Sequence, residues 1–421
     1  MAAHFAALVA VLALAAGATA TPAHSNRTQS WWSHLAAPHS IPVTKNLREV
    51  PVDYTTPMLI ARYGYASESH TVRTQDGYLL TLHRIPNPGK PVIFLQHGVL
   101  SSSADWVVLG PGKALALILF DAGFDVWMGN FRGNTYSRAH VTLSPSDKKF
   151  WDFSWHEMGV YDIPAMIDSV LATTQEKDLV YVGHSQGTTA FLVMASMVPE
   201  YNDKVKAFIA MAPVAFLGHI GSLPLKLISK AVDEIGFITK VLGIGEFLPS
   251  DAFLSYVNSK ACSDGSLVQS VCTNLLFMIA GYDSEELDTE LLPLIMQNVP
   301  AGASTKQMLH FGQLINSDKF RQYDLGIFQN MMHYKSFSPP EYPLHKITTQ
   351  VYLHYAENDL IAVPKGVDKL RAGLSSVRLV RKVPHHTYNH VDFLYGRDSM
   401  PLLYSEVLQS IKEVFGSRAD A

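Results

Sequence analysis

Charge is scarce in this chain and close to balanced. Of 421 residues only 17% are charged, 33 Lys and Arg stand against 37 Asp and Glu, and the net charge is −4. No basic block and no interleaving of basic with aromatic residues occurs, which excludes a nucleic-acid partner. Metal chemistry lacks its motifs: there is no His-Glu-x-x-His and no clustered Cys/His pattern. Dinucleotide and P-loop fingerprints are also missing, so no cofactor is expected. No internal repeat and no low-complexity tract is found. Beyond the first twenty residues no run is long and apolar enough to span a bilayer, so no transmembrane segment is expected.

What is present describes a globular protein with a sizeable core: 48% of residues are apolar. The length suits one large α/β domain with an insertion, or two domains. Residues 1–20 read as a secretory signal peptide, with an apolar stretch and the small-x-small site Ala18-Thr19-Ala20. The stretch lacks the usual leading Lys or Arg. Residues 21–45 are polar with scattered aromatics, an N-terminal segment or short propeptide. Within them Asn26-Arg27-Thr28 is the one glycosylation sequon, consistent with secretion. The two cysteines, Cys262 and Cys272, would then meet an oxidising compartment. Either they close a loop of about ten residues, worth roughly 2–3 kcal/mol, or they stay as two buried thiols. The 18 histidines make surface charge depend on pH.

The stretch Tyr181-Val182-Gly183-His184-Ser185-Gln186-Gly187-Thr188 runs from a short apolar strand through Gly-x-Ser-x-Gly into a helical sequence. Strand, tight turn with one serine, and helix are the context of a nucleophile elbow. The glycines allow backbone to approach backbone where a Cβ would clash. Around it, 71–85 reads as a hairpin about Asp76-Gly77. Apolar strands are expected at 91–95, 124–128, 179–182, 205–211, 350–355 and 377–382. Helices are expected at 113–121, 160–173 and 403–415. That alternation predicts an α/β fold with a mostly parallel sheet covered on both faces. The interval 214–343 breaks the alternation and carries Leu, Ile, Phe and Met at helical spacing. It reads as a helical insertion over the edge that bears Ser185.

A serine hydroxyl needs a base within hydrogen-bond reach, and in α/β hydrolases the chain order is Ser, acid, His. The loop after 350–355 offers Asp359, with Glu357 as its rival. The loop after 377–382 offers His390, with His385 and His386 as rivals. His184 is the serine's own neighbour and is expected to pack beside it. Backbone donors for a developing oxyanion are expected from Gln186, after the serine, and Val99, in the loop after the first parallel strand.

Five motifs together resemble the acid lipase family, which includes gastric and lysosomal acid lipases. They are Leu95-Gln96-His97-Gly98, Trp127 to Asn134 (Trp-Met-Gly-Asn-Phe-Arg-Gly-Asn), Phe153-Ser154-Trp155-His156-Glu157-Met158-Gly159, Gly183 to Thr188, and Asn389-His390-Val391-Asp392-Phe393. The likeness runs from about Asn46 to the C-terminus, and the closing motif most resembles an insect-type member. The resemblance implies an α/β-hydrolase core at 46–213 and 344–421, with a helical cap and lid at 214–343. It implies a secreted (extracellular or gut-lumen) or lysosomal lipase, a monomer, acting at acidic pH on triacylglycerols or cholesteryl esters at an oil–water or membrane interface. Ser185, Asp359 and His390 match the triad, Gln186 and Val99 the oxyanion donors, and Cys262 and Cys272 the cap disulfide. Ala280 stands where family members often carry a free cysteine. Two other readings share the chain's features: an esterase or thioesterase for small soluble esters, and a non-catalytic lipid-binding protein.

Overall fold

The structure, a computed structural model, describes residues 55–248, 279–283, 285–288 and 290–416. The signal and N-terminal segments, Asn26, Cys262 and Cys272 lie outside the described residues.

In chain order the strands are β1 (Glu68–Arg73), β2 (Tyr78–Ile85), β3 (Val92–Gln96), β4 (Asp125–Gly129), β5 (Ala139–His140), β6 (Leu179–His184), β7 (Val205–Met211), β8 (Glu246–Phe247), β9 (Ala303–Ser304), β10 (Gln350–Tyr355) and β11 (Val377–Lys382). Among the described residues the main sheet runs β1-β2-β4-β3-β6-β7-β10-β11, with β5 beside β2. From β4 to β11 every pairing is parallel, while β1 and β5 pair antiparallel with β2, as β2 does with β4. Every residue of β3, β4 and β6 is buried, as continuous apolar strands covered on both faces must be. The outer strands differ. Arg378, Arg381 and Lys382 stud β11, and β1 alternates exposed with covered positions. Charges along an edge discourage pairing with another chain.

Helices Leu115–Asp121, Ile163–Thr174, Gln186–Met197, Pro364–Gly373 and Ser405–Phe415 connect or follow these strands. A short π-helical turn, Met158–Asp162, leads into the second of them, which therefore starts a few residues later than its apolar spacing suggests. The helix Gln186–Met197 is buried along nearly its whole length. Its hydroxyls bond to nearby carbonyls, Thr189 to Val214 at 2.7 Å and Ser196 to Leu192 at 2.6 Å, so their burial leaves no donor unpaired.

Register decides where the site falls. Gly183 of β6 lies opposite Gln96 of β3 and Ala210 of β7, and His354 of β10 lies opposite Met211 and Arg381. The loops after β3, β6, β10 and β11 therefore leave one edge of the sheet, the carboxyl edge where α/β proteins bind ligands.

The insertion between β7 and β10 contains helices Leu223–Ser229, Val232–Leu242, Leu292–Asn298, Thr305–Ser317 and Ile327–Tyr334. It also holds the antiparallel pair β8–β9, two-residue strands too short to leave any alternation in sequence. The insertion forms a cap region. It meets the core through Ala301 N–H to Leu100 O at 2.7 Å, Ser304 Oγ to Phe153 O at 2.5 Å, and a stack of Trp155 on His310 at 3.7 Å.

Candidate active site

Ser185 sits between β6 and the helix Gln186–Met197 at φ 51° and ψ −120°. A positive φ on a residue with a Cβ costs on the order of 1–3 kcal/mol, and the surroundings hold it. Ser185 N–H donates to Met211 O at 3.1 Å, and Thr188 Oγ donates to Ser185 O at 2.5 Å. A Cβ on Gly187 would stand 2.3 Å from Gln96 O, and one on Gly98 would stand 3.1 Å from Ser185 Cβ. Glycine lets β3, its following loop and the elbow close on one another.

Two bonds of 2.8 Å join three side chains: Ser185 Oγ to His390 Nε2, and His390 Nδ1 to Asp359 Oδ2. All three residues are buried. A carboxylate can only accept, so Nδ1 carries the proton and Nε2 accepts from the serine hydroxyl. The other oxygen of Asp359 accepts from Ile361 N at 2.7 Å and Ala362 N at 2.8 Å, which fixes the carboxylate plane. The rivals lie elsewhere. Glu357 is exposed and pairs with Lys382 at 2.9 Å, and that ammonium holds its carboxyl below the usual value. His385 faces Glu285 at 3.3 Å, and His386 is exposed.

His184 is buried and its Nε2 bonds to His390 O at 2.9 Å. Burial, with His390 nearby, pushes its pKa well below the ordinary histidine value, so it stays neutral and supports the loop that carries His390. Val99 N–H and Gln186 N–H have no acceptor among the described residues. The second opens a helix, where the first amides have no partner within the helix and the dipole favours negative charge.

Several contributors have no local signature in sequence. Ala280 O, from the cap, accepts from Leu360 N at 3.2 Å and His390 N at 3.4 Å. Gly281 O accepts from Asn389 Nδ2 at 3.0 Å. Gln307, on the cap helix Thr305–Ser317, donates to the Gln186 side chain. Asp392 accepts from Asn389 N at 2.6 Å; burial pushes its carboxyl up to about 8, with the charges of Asp283 and Glu286 adding to the rise. Only the Asn389-to-Phe393 motif as a block marks any of this. Among the described residues no group of three or more His, Cys, Asp or Glu is arranged to hold a metal ion, and no helix is long and apolar enough to cross a membrane.

Residues 56–110 match the partial α/β-hydrolase lipase region, and residues 91–237 match the α/β hydrolase fold. Lipase 3 of Drosophila melanogaster is 45% identical over 356 residues, covering 83% of this chain and 90% of that one. Gastric triacylglycerol lipase of Homo sapiens is 37% identical over 366 residues, covering 84% and 90%. The chain belongs to the acid lipase family. This acid lipase is thus a carboxylic ester hydrolase acting on lipid esters, of the secreted or lysosomal class. A crystal structure of a Sulfolobus solfataricus protein shares the fold of this acid lipase. The TM-score is 0.54 at 14% identity, over 80% of this chain and 90% of the other.

Proposed function

We propose that this acid lipase cleaves triacylglycerols, with cholesteryl esters as a second substrate class, through an acyl-enzyme on Ser185. His390 takes the serine proton as Oγ attacks the ester carbonyl. Asp359 holds the ring in the required tautomer and faces the imidazolium that forms. The carbonyl oxygen, now negative, accepts from Val99 N–H and Gln186 N–H. His390 returns its proton to the leaving alcohol, and water attacking in the same way releases the fatty acid. No cofactor enters.

The continuous Ser185–His390–Asp359 chain of two 2.8 Å bonds carries this reading. Choice of a lipid phase over small soluble esters is supported by the cap's exposed apolar side chains: Phe237, Val241, Leu242, Phe328, Met332 and Phe337. Exposed apolar side chains of this kind mark contact with a membrane-like surface or a partner chain, and we take the protein to be a monomer that meets the former. Triacylglycerol is the substrate in the name of the Homo sapiens relative. The division into a core of 46–213 and 344–421 and a cap with lid at 214–343 belongs to this proposal. So do the signal at 1–20, the segment 21–45, the Cys262–Cys272 disulfide and a glycan on Asn26.

Ser185→Ala should fold and lose at least about 10⁴-fold in kcat. Full turnover in that variant ends the mechanism. Triolein emulsion compared with cholesteryl oleate across acidic pH sets the substrate class. Equal or better activity on monomeric short-chain esters would replace the lipase reading with an esterase one.

A further inference from the structure

The loop that carries Val99 is clamped to the polar loop after β4, and the ring of His97 is the joint. His97 is buried, and its Nδ1 lies 2.7 Å from Gly98 O. A carbonyl only accepts, so Nδ1 carries the proton. On the far side of the ring, Nε2 accepts from Phe131 N–H at 3.1 Å and from Asn134 Nδ2 at 3.2 Å. The clamp extends along the loop. Asn134 Nδ2 also reaches Ser101 O at 3.3 Å and Asn130 Oδ1 at 3.0 Å, and that oxygen accepts from Ser103 N at 3.0 Å. The Gly-Asn-Phe-Arg-Gly-Asn segment thereby grips the loop 97–103 from its start to its end.

The consequence lies in one peptide plane. Gly98 C=O and Val99 N–H belong to the same trans amide and point in opposite directions. Holding the carbonyl against the His97 ring turns the N–H away from that ring. The Cβ position of Gly98 is 3.1 Å from Ser185 Cβ and 3.6 Å from Ser185 Oγ, so the turned amide lies beside the nucleophile. Its N–H has no acceptor among the described residues. The next residue, Leu100, has φ 61°, a conformation that a loop does not keep without external support.

We infer that His97 is a positioning residue for ester cleavage, holding the Gly98–Val99 peptide so that the Val99 N–H meets the oxyanion. The inference rests on the proposed role of Val99. His97 touches neither substrate nor the reacting atoms. It acts through the amide whose carbonyl it holds, and Phe131 and Asn134 fix its ring.

The test uses a soluble p-nitrophenyl ester, so that surface binding does not enter. His97→Asn places an amide N–H where Nδ1 was, while His97→Leu has the same outline and no donor. His97→Leu should lose between about 10-fold and 100-fold in kcat, a displaced rather than deleted oxyanion donor, with KM within about twofold. His97→Asn should regain most of that loss. A higher KM at unchanged kcat, or equal losses in the two variants, overturns the inference. If His97→Leu does not fold, His97→Gln carries its amide one carbon too far from Gly98 O and should show the same kcat deficit against Asn. A parallel amide-to-ester replacement at Val99 deletes the N–H and also weakens the Gly98 carbonyl as an acceptor. It separates the two ideas when set beside His97→Leu, which removes the bond to that carbonyl and keeps the N–H. Loss there with a silent His97→Leu overturns the positioning role and leaves the oxyanion assignment standing. No loss there overturns both.

Discussion

The two walls of the site are held by different forces. The wall made by β3, β6 and their loops is fixed by close packing at glycine, Gly187 against the Gln96 backbone and Gly98 against the Ser185 side chain, with Ser185 at a positive φ between them and the His97–Asn134 clamp on the loop after β3. The opposite wall, after β10 and β11, is held by side chains and by the cap. Asn358 donates to Tyr282 O at 2.8 Å and to Thr387 O at 2.6 Å. Asn389 donates to Gly281 O, and Ala280 O accepts from both Leu360 and His390. Behind His390 lies Asp392, with a carboxyl whose proton burial retains to about pH 8. Steric contacts at glycine answer to volume and ignore pH, and in that wall the His97 clamp answers to acid, since burial pushes the pKa of its ring down to about 4. A wall of hydrogen bonds and carboxyls answers to pH and to whether the cap is seated.

Asp359→Asn should have the largest effect among the variants that divide these walls. It keeps the outline of the acid and destroys its charge, so kcat should fall by about 10³–10⁴-fold with the melting temperature little changed. A loss under tenfold would mean that another carboxylate serves the base. Gly187→Ala comes next and attacks the steric wall. Its Cβ must displace Gln96 O from 2.3 Å, at about 2–3 kcal/mol of stability by the usual cost of overpacking. Activity should drop by a similar factor at every pH. A deficit confined to one end of the pH range would erase the distinction between the walls.

Asp392→Asn has the smallest expected effect and attacks the other wall. Its folded-state pKa is raised to about 8 from 3.8. The stabilisation it contributes is therefore complete below about pH 4 and is lost as pH rises through about 8. Asp105, pushed up to about 7 by burial, works in the same direction. His97 and His83, pushed down to about 4 by burial, oppose it: they are neutral when folded and cost stability as pH falls from 6.5 towards 4. Melting curves from pH 4 to 9 should show wild-type stability declining on the alkaline side. Asp392→Asn should flatten that decline by on the order of 1–2 kcal/mol. An unchanged slope would remove Asp392 from the account.

Legibility in the sequence followed the same division. Strands that are buried on both faces are apolar nearly throughout, and β3, β4 and β6 are legible to within two residues. β10 and β11, partly exposed, are legible at 350–355 and 377–382 even though β11 carries Arg378, Arg381 and Lys382. Chain order alone brought Ser185, Asp359 and His390 together as candidates, because each sits just past a strand of one parallel sheet. What could not be read depends on long-range pairing. Arg132 looks like part of a polar loop, yet it is buried against Asp76 at 2.6 Å and Asp162 at 2.6 Å, with its guanidinium 4.0 Å from the Tyr78 ring. Gln307 looks like any polar helix residue, yet it bonds to the side chain of Gln186. No periodicity reports which distant residue a polar side chain will meet. Asp359 and Glu357 are chemically alike in sequence; burial of one and exposure of the other part them.

The register of β11 has a consequence in time. Ser185 and His390 lie 205 positions apart, and the imidazole follows the last strand at the sheet's edge. Chains are made at about 5–20 residues per second, and a domain folds as a unit. By the proposed mechanism, the growing chain carries Ser185 and the segment with Val99 for the last tens of seconds of synthesis without its base. On that mechanism the hydroxyl stays an ordinary alcohol until β11 adds to β10 and the following loop docks against Ala280. A polypeptide that will later cut lipid is in this way inert while it is being made.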